Sequence, residues 1–87
     1  MIYQVRFAEK ALKQLKKLDK PVQKLILNWL ENNLEGTDEP RLKGKALVSN
    51  HSGEWRYRVG DYRLIADIQD ELVTILIIAV GHRKDIY

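Results

Sequence analysis

Cysteine is absent from this chain. That excludes a disulfide framework and every thiolate metal site, and it agrees with a reducing compartment. Histidine is scarce as well: His51 and His82 stand apart, and no cluster of carboxylates is spaced to hold Mg²⁺, so no metal and no cofactor are expected. There is no long hydrophobic run. The longest uncharged apolar stretch, residues 72–81, falls far short of the roughly 20 residues of a membrane span. The chain does not open on a charged segment followed by an apolar one, as a secretory signal would. A cytoplasmic protein with no membrane partner is therefore expected. Nor is there an internal repeat, a linker or a low-complexity segment.

What is present suffices for one domain. The 87 residues, 45% hydrophobic and 31% charged, suit a single core and leave no room for a second, so residues 1–87 read as one globular unit. A net charge of +3 is only mildly basic. Its distribution says more: positions 41–63 hold six cations (Arg41, Lys43, Lys45, Arg56, Arg58, Arg63) against two acids (Glu54, Asp61). Positions 19–39 hold two lysines (Lys20, Lys24) against five acids (Asp19, Glu31, Glu35, Asp38, Glu39). One end of the molecule should carry a positive field.

Residues 2–7 alternate as a strand does, with Tyr3, Val5 and Phe7 as the core face. From Ala8 the period lengthens. Ala8, Ala11, Leu12, Leu15 and Leu18 recur at helical spacing between lysines, which predicts an amphipathic helix ending near Asp19. Pro21 suits the first turn of a second helix, with Asp19 placed to accept its free amide hydrogens, and Val22, Leu25, Ile26, Trp29 and Leu30 form its stripe. That helix should run to about Leu34 and close on Gly36. Residues 37–52 read as a loop with a short extended piece around Leu42 and Leu47. Three strands follow at 54–59, 62–69 and 72–80, joined by hairpin turns at Gly60-Asp61 and Asp70-Glu71. The first strand adds to an edge of this meander. The expected fold is α+β: a two-layer β-α-α-β-β-β domain with an antiparallel sheet and a helical hairpin packed on one face.

Period two puts Trp55, Tyr57 and Val59 on the core side of their strand and Glu54, Arg56 and Arg58 on the other. Arg63 opens the next strand, and Arg83 and Tyr87 follow the last apolar run. Each arginine alone is satisfied as a solvated or salt-bridged strand residue, with Glu54 and Asp67 at hand. Together they repel one another unless an anion compensates them. Phosphate is that anion, because a guanidinium offers a planar fork to two phosphate oxygens. Such a cleft binds nucleic acid, and it can cut RNA without a metal by aligning the ribose 2′-OH and stabilising the charged transition state. A proton acceptor is still required. Arginine stays protonated, which leaves Tyr87, His82, His51 and Glu54 as candidates.

L-K-G at 42–44, W-R-Y-R-V-G-D-Y-R-L-I at 55–65 and the closing G-H-R-K-D-I-Y at 81–87 resemble the RelE branch of the RelE/ParE toxin superfamily over essentially the whole chain. The resemblance implies a type II toxin: an mRNA endonuclease that enters the ribosomal A site, cleaves the codon there and inhibits translation. The implied partners are a cognate RelB-like antitoxin with a neutralising helix, the ribosome and mRNA, and operator DNA only through the antitoxin complex. Its active-site pattern falls here on Arg56, Arg58, Arg63, Arg83 and Tyr87, with Arg41, Lys43 and Lys45 as further RNA contacts and His82 as a possible acid or base. Where well-known members carry lysines, this chain has Arg56 and Arg58, which shifts the role of base to Tyr87. The other readings are a ParE-like inhibitor of DNA gyrase acting by protein binding, and a catalytically degenerate antitoxin-binding module.

Overall fold

The computed structural model describes residues 1–47 and 53–85. Strand β1 (Gln4–Phe7) leads into a helical hairpin, α1 (Glu9–Lys16) and α2 (Lys20–Asn33), which is followed by a two-residue strand β2 (Lys45–Ala46) and the meander β3 (Glu54–Val59), β4 (Tyr62–Gln69) and β5 (Thr74–His82). The strand order is β1-β5-β4-β3-β2. The α+β class and the two-helix layer are as the sequence leads one to expect.

The sheet differs first in direction: β1 runs parallel to β5, with Gln4 beside Thr74 and Phe7 beside Ile77, so it is mixed rather than antiparallel throughout. The reason lies where α2 ends. The Gly36 N–H donates to Tyr3 O at 2.9 Å and the Tyr3 N–H to Thr37 O at 2.8 Å, which returns the chain to the end of the sheet where β1 began. The meander therefore starts in the direction of β1, and its third strand, β5, runs that way again. Strand β2 is the second difference. It pairs Lys45 with Arg56 and Ala46 with Trp55 and so extends the expected four strands to five.

Helix α1 stops at Lys16, earlier than the pattern of apolar residues implies. Asp19 does occupy the residue before α2 in an extended conformation, but its carboxylate makes no capping bond. Gln23 ties the corner instead, donating through Nε2 to Leu18 O at 2.7 Å. The second hairpin turn is also longer than expected. A turn of 3-10 helix at Asp70–Leu72 is followed by Val73 at φ +48°, a left-handed conformation unusual for a β-branched residue, and this delays β5 to Thr74.

The core lies between the helices and one face of the sheet. Ala11, Leu15, Ile26 and Leu30 of the helices meet Tyr57, Leu64, Ala66, Ile75, Ile77 and Val80 of the strands. Each fully buried side chain of the size of Ile77 contributes about 1.5–3 kcal/mol by leaving water. A bulge at Ile65/Ala66 sets Ile65 opposite Ala79 and Ala66 opposite Ile77, so that Ile78 has no partner on β4. That extra residue lets both Ile77 and Val80, three apart, face the helices. Among the described residues no charged or polar residue is buried, so every cation is left on the surface, and the sheet decides which of them meet.

Candidate functional site: a four-cation cleft on the open face of the sheet

Residues directly opposed on neighbouring strands share a face, with Cβ atoms about 4.5–5.5 Å apart. Arg58 is opposed to Arg63, Arg56 to Ile65, and Lys45 to Arg56. Because the alternate pair, Tyr57 and Leu64, is buried beneath the helices, these four cations lie on the side of the sheet turned away from them. There they line an open cleft of about 330 Å³ together with Gly44, and among the described residues no acid joins the lining.

Gly44 belongs in that wall for a steric reason. It sits at φ +82°, and a Cβ on it would lie 2.3 Å from Arg56 O, 2.7 Å from Trp55 Nε1 and 2.9 Å from Tyr57 Cδ1. Only glycine brings the backbone this close to β3 and so delivers Lys45 to the cleft. The strand anchors the loop in return. The Trp55 indole donates to Lys43 O at 2.7 Å and the Tyr57 hydroxyl to Pro40 O at 2.5 Å. Burial pushes the Tyr57 phenol up to about 12, so it remains a donor at every physiological pH.

Arg63 and Arg83 are each tied to the β3–β4 turn. Arg63 Nη1 donates to Gly60 O at 2.9 Å and to Tyr62 O at 3.0 Å. The Arg83 N–H donates to Asp61 O at 2.8 Å, and its Nη1 lies 3.9 Å from Asp61 Oδ1. Arg83 is thus outside the cleft lining but at the end of the sheet where Arg58 and Arg63 face each other.

The remaining sequence candidates are placed differently. Arg41 does not line the cleft: its guanidinium forks onto Asp70, Nη1 to Oδ1 at 3.0 Å and Nη2 to Oδ2 at 2.9 Å, at the far end of β4 from Arg63. Asp70 also accepts the Tyr3 hydroxyl at 2.6 Å. The Arg41 fork, then the Tyr3 hydroxyl, hold the Asp70 carboxyl below its ordinary range, and the bond to Asp70 raises the Tyr3 phenol. Lys43 contributes its carbonyl to Trp55, while its side chain is absent from the cleft lining. His82 lies opposite Tyr62, edge-on to its ring with centroids 5.4 Å apart, and its Nδ1 accepts the Lys84 N–H at 3.2 Å. Alternation from Leu64 and Val80 puts this pair on the helix side, away from the arginines. Glu54 and Asp67 are opposed on the open face. His51 and Tyr87 lie outside the described residues. Among the described residues, no group of three or more His, Asp or Glu side chains is placed to hold a metal. None of the described helices is long and apolar enough to cross a membrane. Sequence reasoning passed over the side chain of Asp61 as a partner for Arg83; its signal was a lone acid between the arginines of β3 and β4.

The family model described as the ParE toxin of type II toxin–antitoxin system, parDE, matches residues 5–87. The chain belongs to the ParE toxin family. Within the wider RelE/ParE superfamily its relatives carry RelE-type names. Toxin RelG of Mycobacterium tuberculosis is 37% identical to the toxin over 87 residues, covering 100% of this chain and 98% of RelG. The crystal structure of the RelBE2 toxin–antitoxin complex of the same organism matches with a TM-score of 0.85 at 33% identity, over 98% of this chain and 95% of that one. The isolated Escherichia coli RelE toxin matches with a TM-score of 0.73 at 28% identity, over 92% and 83%. The protein is therefore a toxin of a type II toxin–antitoxin system, built on the fold of the RelE toxins.

Proposed function

We propose that this toxin is a ribosome-dependent, metal-independent mRNA endonuclease that cuts the codon in the A site and arrests growth by stopping translation. The cleft of Lys45, Arg56, Arg58 and Arg63, with Arg83 beside it, carries this reading, and the RelE-type relatives support it. In the proposed reaction Arg63 and Arg83 hold the scissile phosphate in their forks, which aligns the 2′-oxygen with phosphorus. Tyr87, as its phenolate, takes the 2′-OH proton; the 2′-oxygen–phosphorus bond forms as the phosphorus–5′-oxygen bond breaks, and the leaving 5′-oxygen takes a proton from water, giving a 2′,3′-cyclic phosphate and a 5′-hydroxyl. Arg56 and Arg58 stabilise the charge that develops on the phosphorane and favour the ionised phenol. Lys45 extends the positive track along the strand, with Lys43 and Arg41 as outlying RNA contacts once Arg41 leaves Asp70. His82, engaged by Lys84 and turned towards Tyr62, is left outside the proton transfers.

The partner follows from the same surface and from the toxin–antitoxin complex of the similar RelBE2 protein. A RelB-like antitoxin with an amphipathic helix brings acids to the arginines, neutralises the toxin in the cytoplasm and supplies the operator-DNA contacts of the complex. Arg83→Ala and Tyr87→Phe should each abolish growth arrest and A-site cleavage while circular dichroism remains that of the wild type; full cleavage by both variants would refute the assignment. The description of the matching family model favours a second reading, a ParE-like gyrase inhibitor. Double-strand DNA breaks with intact mRNA after induction would establish that one instead.

A further inference from the structure

The β3–β4 turn gathers two guanidiniums by different means. Arg63 is held by backbone carbonyls, Gly60 O and Tyr62 O, and needs no counter-charge to stay in place. Arg83 has left the sheet: β5 ends at His82, which pairs with Tyr62, and Arg83 is the next residue. Its backbone is carried one step further along the ladder by the 2.8 Å bond to Asp61 O. Among the described residues its side chain is paired with the Asp61 carboxylate alone, at 3.9 Å. Asp61 is also the only acid between positions 55 and 66, a segment that holds Arg56, Arg58 and Arg63.

We propose that Asp61 is a positioning residue for Arg83: its carboxylate draws the guanidinium against the turn, next to the opposed Arg58 and Arg63, so that a fifth cation is aimed at the phosphate. This rests on the reading of the cleft as a phosphodiester site. Stability is not the reason for such a pair. The side chains are 56% and 70% exposed, and ion pairs this open contribute little. What the pair supplies is direction, since a guanidinium on a chain leaving a strand otherwise samples many rotamers. The same carboxylate opposes an incoming phosphate, so its removal has two effects of opposite sign: RNA binds more tightly and the reaction slows.

A double-mutant cycle on the full-length toxin with programmed ribosomes tests this. Asp61→Asn keeps the shape and removes the charge; single-turnover cleavage should fall by about 2- to 5-fold, the bias that a pair this exposed can exert on the guanidinium's rotamers, while KM stays level or falls. In the Arg83→Ala background the residual rate, too slow to arrest growth but readable in long single-turnover incubations, should not fall further with Asp61→Asn, because no guanidinium is left to place; with Arg83 present, Asp61→Glu should keep most of the wild-type rate. Multiplicative losses in the double variant, or a raised KM with unchanged kcat, would overturn the proposal. A second readout does not depend on catalysis. The Arg83 Nε–Hε resonance should show restricted motion in the wild type and fast averaging in Asp61→Asn, with the Arg63 resonance unchanged. Equal mobility of Arg83 in both proteins would overturn the placement even in a chain that cleaves no RNA, whereas restricted motion with no cleavage by the wild type would retire the RNase reading and leave the placement standing.

Discussion

Gly44→Ala is the substitution for which the structure gives the largest and most specific penalty. At φ +82° an L-residue pays roughly 1–2 kcal/mol for the left-handed backbone. The added methyl would meet Arg56 O at 2.3 Å, Trp55 Nε1 at 2.7 Å and Tyr57 Cδ1 at 2.9 Å, and the first of these is backbone of β3, paired to β2 and β4 on either side, which cannot rotate away. Overpacking of this kind costs typically 1–3 kcal/mol, so the sum is about 2–5 kcal/mol against a total stability on the order of 5–15 kcal/mol. Gly60→Ala supplies the control. Gly60 has φ +59° with nothing within 4 Å of the added Cβ, and should cost only the backbone part, about 1–2 kcal/mol. Urea unfolding of the three proteins, followed by circular dichroism, measures both. The wall of the cleft should suffer as well: relief of the clash pushes β2 off β3, withdraws Lys45 and lowers RNA affinity in Gly44→Ala but not in Gly60→Ala. Equal costs for the two alanines would refute the close approach on which the cleft depends.

Two further outcomes are expected. Tyr57→Phe leaves the Pro40 carbonyl without its donor and should destabilise by about 1–3 kcal/mol, read as a shift of the urea midpoint. Asp70, whose carboxyl is held below its ordinary value by Arg41 and then Tyr3, contributes stability that is fully present above about pH 4 and is lost as pH falls through its lowered native pKa. Asp70→Asn should therefore flatten the acid side of the stability profile, and an acid slope identical to that of the wild type would contradict the pairing.

The helices and the three long strands were legible because their apolar periods are regular and their turns carry Gly60-Asp61 and Gly36. The direction of β1 was not, since it depends on the bonds between Tyr3 and residues 36 and 37, which no local pattern encodes. Strand β2 was legible only as a short extended piece around Leu42 and Leu47, because a two-residue edge has no period; what makes it a strand is Gly44, which lets the backbone touch Arg56. The arginines of the cleft could be found from alternation alone, for alternation dictates the face. The use each cation is put to could not. Arg41 and Lys43 look alike in sequence, yet Arg41 is claimed by Asp70, 29 residues away, and Asp70 reaches that position only through the longer β4–β5 turn. His82 is Arg83's neighbour in sequence, yet its pairing with Tyr62 puts the two residues on opposite sides of the sheet, which only the register reveals.

The most direct test of the account is to induce this chain alone in cells and map mRNA 5′ ends on isolated ribosomes. The account predicts new ends within the A-site codon in the wild type and none in Arg58→Ala/Arg63→Ala or Arg83→Ala. Intact ribosome-bound mRNA under growth arrest would contradict it.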